Sequence, residues 1–225
     1  METWSPAHIA AIAATAIAAA LLAGGARRGG DRFAVPAGRA LALVLVAAFG
    51  GEQLTYALRG EWSAQVNLPF QLTDAVTLVA AAALWRPAQL LVELTYFWAL
   101  SASLQAVLTP DLGHDFPDVL FFTYFAAHSG AVAAACLLVF GDRRAPGRGA
   151  VARVYAITAA FAGCAAVATL ATDGNYMFLR RKPAHGSLLD LMGPWPLYIA
   201  ASAVLALVLF AALAALARAV VEEPP

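Results

Sequence analysis

The chain has 225 residues, of which 62% are hydrophobic and only 12% charged, and its mean hydropathy is +0.73. This composition excludes a soluble globular domain and indicates an integral membrane protein. Lys and Arg together number 14, as do Asp and Glu, so the net charge is zero and no basic surface indicates a nucleic-acid partner. Membrane lipids are the partners that this composition favours.

Seven apolar runs are each long enough, at roughly 20 residues, to cross a bilayer as a helix. The sequence therefore predicts an all-α protein, a bundle of seven transmembrane helices in a single domain over residues 1–225. The predicted helices cover about residues 8–25, 39–59, 68–86, 88–108, 118–141, 150–172 and 196–220. Residues 24–38, with their glycines and arginines, are predicted to form a loop.

Arginines are concentrated in the segments that would lie on one side of the membrane. By the positive-inside rule this side is cytoplasmic, which predicts a multi-pass protein of the cell membrane with its N-terminus outside and its C-terminus in the cytoplasm. The arginines on this side are Arg27, Arg28, Arg32, Arg39, Arg86, Arg143, Arg144, Arg148, Arg153 and Arg218.

The third predicted helix opens with an amide, a hydroxyl and a carboxylate, at Gln71, Thr73 and Asp74. Placing each of these polar groups inside a membrane costs free energy, so we expect each to have a hydrogen-bond partner or a function. Asn67 is expected to be the N-cap, with Pro69 tolerated in the first turn. A structural role for Thr73 stays open, because membrane threonines commonly bond back to the carbonyl four residues earlier.

Three other helices carry polar residues at similar depth: Glu52 in the second, Gln105 in the fourth and His128 in the fifth. At 1.5 Å per residue, His128 lies roughly 15 Å below the outer surface and Thr73 roughly 9 Å. Helix tilt absorbs such a difference, so a single polar pocket in the outer half of the bilayer is predicted. For Glu52, an interhelical hydrogen bond is the structural alternative.

A histidine beside a hydroxyl is the smallest set of groups that supports nucleophilic acyl transfer. In this interpretation Thr73 is the nucleophile, His128 is the general base, and Asp74 or Glu52 orients the imidazole. The two cysteines, Cys136 and Cys164, have neither a disulfide pattern nor metal-ligand spacing. No metal and no cofactor is indicated.

Other polar residues are expected to bind the substrate. Amides could donate to an oxyanion, and the loops at 109–118 and 173–195 lie on the same predicted side as the pocket, which the second of them could roof. The expected substrate-binding residues are Gln71, Gln105, Glu52, Asp111, Asn175, Tyr176 and Asp190.

Several motifs resemble the bacterial YwaF-type membrane family, which is related to animal transmembrane protein 164. They occupy residues 68–74, 96–98, 104–111, 128, 175–179, 182–183 and 187–196, with the Leu-Thr-Pro-Asp and Ser-Leu-Leu-Asp-to-Pro-Trp-Pro blocks the most specific. The resemblance implies a seven-helix membrane protein. It also implies a lipid acyltransferase, since the animal member is described as moving a polyunsaturated acyl chain between phospholipids with a cysteine and a histidine.

In this resemblance the family histidine corresponds to His128, whereas the third-helix motif carries His and Cys where this chain has Gln71 and Thr73. Androgen-induced membrane hydrolases, which are similar in topology, split fatty-acid esters with a threonine and a histidine. The prediction is therefore a lipid acyltransferase or lipid ester hydrolase. The alternative is a non-catalytic membrane protein, for ligand binding, transport or scaffolding, that has lost the family nucleophile.

Overall fold

The computed structural model describes residues 3–183 and 186–222, and in these residues it contains helices and no strand. One apolar core draws on all seven helices. Six helices are long and apolar enough to cross a membrane, which confirms a multi-pass helical membrane protein, whereas α3 has only 14 residues. The helices are α1 Pro6–Gly29, α2 Asp31–Leu58, α3 Leu72–Trp85, α4 Gln89–Leu108, α5 Val119–Gly141, α6 Ala150–Thr172 and α7 Leu197–Glu222.

The predicted loop at 24–38 is wrong, because α1 and α2 are separated by Gly30 alone. Gly30 has a φ of 53°, which glycine adopts without the steric cost other residues meet. Its N–H donates to the carbonyl of Ala26 at 2.8 Å and closes α1. Arg27 and Arg28 fall in the last turn of α1, where the helix dipole favours positive charge.

The expected N-cap of α3 is also wrong, since the helix begins at Leu72 with Gln71 as its N-cap residue. The side chain of Asn67 instead accepts the N–H of Ser63 at 2.9 Å and closes a turn before the helix. The residue before a proline avoids the helical region, so Leu68 before Pro69 delays the start.

Successive helices run in opposite directions, so the bundle has two ends. We call the end where α3, α5 and α7 begin the cavity end, and the opposite end the arginine end. At the cavity end Arg59 pairs with Asp118 at 2.9 Å. The N–H of Leu120 and the Arg59 guanidinium hold the pKa of the Asp118 carboxyl below its usual range. At the arginine end Arg153 pairs with the fully buried Glu93 at 2.8 Å.

The segment after α6 folds back over the cavity end. We call residues 173–183 and 186–196 the roof loop; it contains two short 3-10 turns, Tyr176–Phe178 and Leu188–Met192. The buried hydroxyl of Tyr176 donates to the carbonyl of Ala64 at 2.6 Å and accepts the N–H of Leu68 at 3.0 Å. This side chain ties the roof loop to the segment before α3.

Candidate active-site cavity

A cavity of ≈ 640 Å³ lies at the cavity end, between α2 to α7 and the roof loop. Its volume is typical of small-molecule sites. Seven of the ten predicted site residues line it, so the structure brings together residues from four helices and a loop that are far apart in sequence. These residues are Glu52, Gln71, Thr73, Asp74, Gln105, Asp111 and His128.

Thr73 is the second residue of α3. At 1.5 Å per residue α3 is about 21 Å long, short of a hydrocarbon core of roughly 30 Å. With Arg86, which follows α3, at the membrane surface of the arginine end, we expect Thr73 to lie well below the membrane surface at the cavity end. Non-helical backbone at such depth must be buried in protein or face a cavity, and Gln71, just before α3, does line the cavity.

The start of α3 presents backbone donors at this depth. The N–H groups of Asp74 and Ala75 both donate to the carbonyl of Gln71, whereas those of Leu72 and Thr73 find no acceptor within the described part of the chain. The first N–H groups of any helix lack an internal partner. Together with the helix dipole they favour negative charge beside Thr73.

The hydroxyl of Thr73 differs from those of neighbouring threonines. Thr77 donates to the carbonyl of Thr73 at 2.9 Å, and Thr95 makes the same backward bond to Leu91 at 2.7 Å. Thr73 makes no side-chain hydrogen bond to any residue that the structure describes, and its carbonyl, not its hydroxyl, is the atom that Thr77 contacts. The structural role expected of a lone membrane threonine is therefore not seen at Thr73.

His128 lies in α5 with only 7% of its surface exposed. Its Nδ1 is buried and has no hydrogen-bond partner among the described residues. The ring of Tyr124, one helical turn earlier, stands 4.1 Å away at an interplanar angle of 70°. Buried polar atoms without a partner are uncommon in folded proteins. We therefore expect Nδ1 of His128 to bind a ligand or a water molecule, or to transfer a proton.

Two carboxylates lie near each other on the cavity wall. Asp74 interacts electrostatically with Glu52 and with the backbone of Gln71. Asp111 adds a third carboxylate at the exposed mouth, and no Lys or Arg of the described residues lines the cavity. His128 is consequently the basic side chain of this site.

The two predicted amide donors are placed differently. Gln71 accepts the N–H of Met177 through Oε1 at 2.8 Å, and this contact fixes the amide so that Nε2 remains available as a donor. The Nε2 of Gln105 is already engaged, since it donates to the hydroxyl of Thr109 at 2.6 Å.

The structure does not bring the three predicted roof-loop residues to the cavity wall, as far as the chain is described. Asn175 accepts the N–H groups of Arg180 and Arg181, each at 3.0 Å, and so shapes the loop. Tyr176 is buried beneath the loop, as described above. Asp190 accepts the N–H of Ser187 at 2.8 Å, which starts the second 3-10 turn.

Sequence reasoning missed other polar residues of the wall. Tyr124 is four residues before His128, and Tyr198 and Ser202 are four apart, so helical spacing was the available signal. Ser101 lies in a π-helical turn, Ala99–Ser103, which the sequence does not reveal. The missed polar residues of the wall are Gln53, Tyr56, Asn67, Thr77, Ser101, Thr109, Tyr124, Tyr155, Thr158, Ser187, Tyr198 and Ser202.

These helices and this cavity define a polytopic α-helical membrane protein with an internal site of ligand size. Sequence comparison narrows the class: the model of the TMEM164 family matches residues 3–214. The chain belongs to the TMEM164 family, which confirms the resemblance to relatives of transmembrane protein 164. No curated protein and no solved structure matches the chain.

Proposed function

We propose that the protein is a lipid acyltransferase or lipid ester hydrolase in which Thr73 and His128 form the reacting pair. One observation carries this proposal: a single cavity holds a threonine hydroxyl and a buried histidine nitrogen, and neither has a hydrogen-bond partner among the residues that the structure describes. A hydroxyl needs a base to become a useful nucleophile, and His128 is the basic side chain of this cavity.

The reaction begins with an ester carbonyl beside Thr73. His128 takes the hydroxyl proton while Oγ1 bonds to the carbonyl carbon, giving a tetrahedral oxyanion. The oxyanion collapses, the ester C–O bond breaks, and His128 returns the proton to the departing alcohol. Water, or the hydroxyl of a second lipid, then attacks acyl-Thr73 with His128 again as base, which releases the acyl group and restores Thr73.

The oxyanion needs donors that are in place before the reaction. The N–H groups of Leu72 and Thr73, which find no acceptor in the described part of the chain, and Nε2 of Gln71 all belong to the start of α3. We assign the oxyanion site to these groups. Gln105 donates one of its two Nε2 hydrogens to Thr109 and so offers one donor fewer than Gln71.

A second candidate is a ligand-binding protein of the same fold without catalysis. It is favoured by one observation, namely that Thr73 and His128 form no hydrogen bond with each other among the described residues. Catalytic hydrogen bonds are often long or absent before substrate binds. A measurement of ester cleavage therefore has to distinguish the enzyme from the ligand-binding protein.

The test is ester cleavage by purified protein in lipid nanodiscs. Thr73→Val removes the hydroxyl with little change of shape, and Thr77→Val does the same one turn away, where the hydroxyl only bonds back to Thr73. We expect Thr73→Val and His128→Gln each to lose activity by a factor on the order of 10² to 10⁴, with Thr77→Val close to wild type. Equal activity in Thr73→Val and Thr77→Val would contradict the assignment.

A further inference from the structure

The cavity has an apolar branch that extends between α6 and α7. The predicted site residues that line the cavity belong to α2 to α5 and the segments beside them. The part of the wall that α6 and α7 supply is lined mainly by alanine and leucine, with Thr158 and Ser202 as further polar residues. The residues that form the branch are Tyr155, Ala159, Ala162, Leu205, Ala206 and Leu209.

The branch runs toward the middle of the membrane. On α7 the cavity wall extends from Tyr198, at the start of the helix, to Leu209. Eleven residues of helix correspond to about 16 Å of depth. One end of the cavity is therefore polar and reactive, while the other is long, apolar and set at the level of lipid tails.

Residues of the branch are accessible as well as cavity-lining. Ala159, Ala203 and Leu209 line the cavity and are exposed, Leu209 by 37%. These residues belong to α6 and α7, two helices long and apolar enough to cross a membrane. A chain that entered between these two helices would come from the bilayer without crossing water.

We propose that the acyl chain of the substrate lies in this branch, with its ester at Thr73 and His128 and its methyl end between α6 and α7. Ala206, half-buried on the wall of the branch, leaves the space that a long chain needs. The placement of the ester at Thr73 and His128 rests on the proposed function, whereas the binding of an apolar chain in the branch does not require catalysis.

Ala206→Trp tests the branch, because an indole at this position fills it. Ala211→Trp is the matched control, since Ala211 is exposed on the same helix and does not line the cavity. The two measurements are cleavage of p-nitrophenyl palmitate against p-nitrophenyl acetate, and photolabelling by a palmitic acid analogue that carries a diazirine near its methyl end.

We expect Ala206→Trp to lower the palmitate-to-acetate rate ratio at least about tenfold and Ala211→Trp to leave this ratio unchanged. The probe should label the branch residues of α6 and α7 in wild type and not in Ala206→Trp. An unchanged ratio together with unchanged labelling in Ala206→Trp would overturn the proposal.

If wild type cleaves neither ester, the proposed function fails. The photolabelling alone then tests whether an apolar chain binds in the branch. Loss of branch labelling in Ala206→Trp and its retention in Ala211→Trp would then support a chain-binding site in a non-catalytic protein. Equal labelling of both variants would overturn the branch as well.

Discussion

Gln71 connects the start of α3, where we propose that the ester reacts, to the roof loop. Its Oε1 accepts the N–H of Met177, whereas its Nε2 donates to no acceptor among the described residues. Met177 itself has a φ of 52°, an uncommon value for a residue other than glycine, so the contact helps to hold a strained turn over the cavity. The same side chain thus carries the proposed oxyanion donor, Nε2, and the acceptor that holds the roof loop, Oε1.

Gln71→Glu tests the two roles of this side chain separately, because a carboxylate can still accept the N–H of Met177 but cannot donate to an oxyanion. We expect kcat to fall about 10²-fold, while hydrogen exchange at the Met177 amide stays slow. Gln71→Met, which lacks both groups, should lower kcat and also speed exchange at Met177. Unchanged kcat in Gln71→Glu would exclude the side chain from the oxyanion site.

Among single residues, the sequence could predict which helical side chains line one cavity, because helical rise converts sequence distance into depth. Thr73, Asp74, Gln105 and His128 all line it, and their catalytic or binding roles stay predictions. A loop has no fixed rise, so Asn175, Tyr176 and Asp190 could not be placed in this way. Asn175 and Asp190 bond within the roof loop, and Tyr176 bonds to the segment before α3.

Among the elements, α3 is the shortest of the seven helices, and its start lines the candidate site. We expect its 14 residues to leave its first turn below the membrane surface, where Thr73 and two N–H groups without an acceptor among the described residues share a cavity with His128. The apolar run predicted a start near residue 68, and Pro69 is the reason that the helix begins four residues later. The long apolar runs of α4 to α7, by contrast, begin and end within about two residues of their predicted limits.

The packing of α1 on α5 depends on a glycine. A Cβ at Gly141 would lie 2.8 Å from the Cβ of Ala26 and 3.3 Å from the backbone of Ala23, whereas a Cβ at Gly163 would meet nothing within 4 Å.

Gly141→Ala should therefore destabilise the protein by about 1–3 kcal/mol through overpacking. Gly163→Ala should be neutral or stabilise it by about 0.5–1 kcal/mol, because alanine favours a helix interior. Thermal unfolding in detergent measures both. Equal melting temperatures for the two variants would show that α1 does not pack on α5 as described.

For the whole molecule, the remaining prediction is its orientation. Ten of the thirteen arginines lie at the arginine end, opposite to the cavity, whereas Arg59, Arg180 and Arg181 lie at the cavity end. By the positive-inside rule this excess predicts that the cavity end lies outside the cytoplasm. In a variant with Cys136 and Cys164 replaced by alanine, Gly113→Cys should react with an impermeant maleimide on intact cells, and Arg148→Cys only after permeabilisation. Gly113 and Arg148 are both exposed, at opposite ends. The reverse pattern would place the cavity on the cytoplasmic side.

If Thr73 is the nucleophile, it carries the acyl group during turnover, and the mass of the protein reports this directly. Purified protein would be quenched with acid after brief incubation with p-nitrophenyl palmitate, and its intact mass and peptides analysed. We expect one palmitoyl adduct on Thr73, absent in Thr73→Val and His128→Gln and present in Thr77→Val. Ester cleavage without an adduct on Thr73, or an adduct that persists in Thr73→Val, would contradict this role of Thr73.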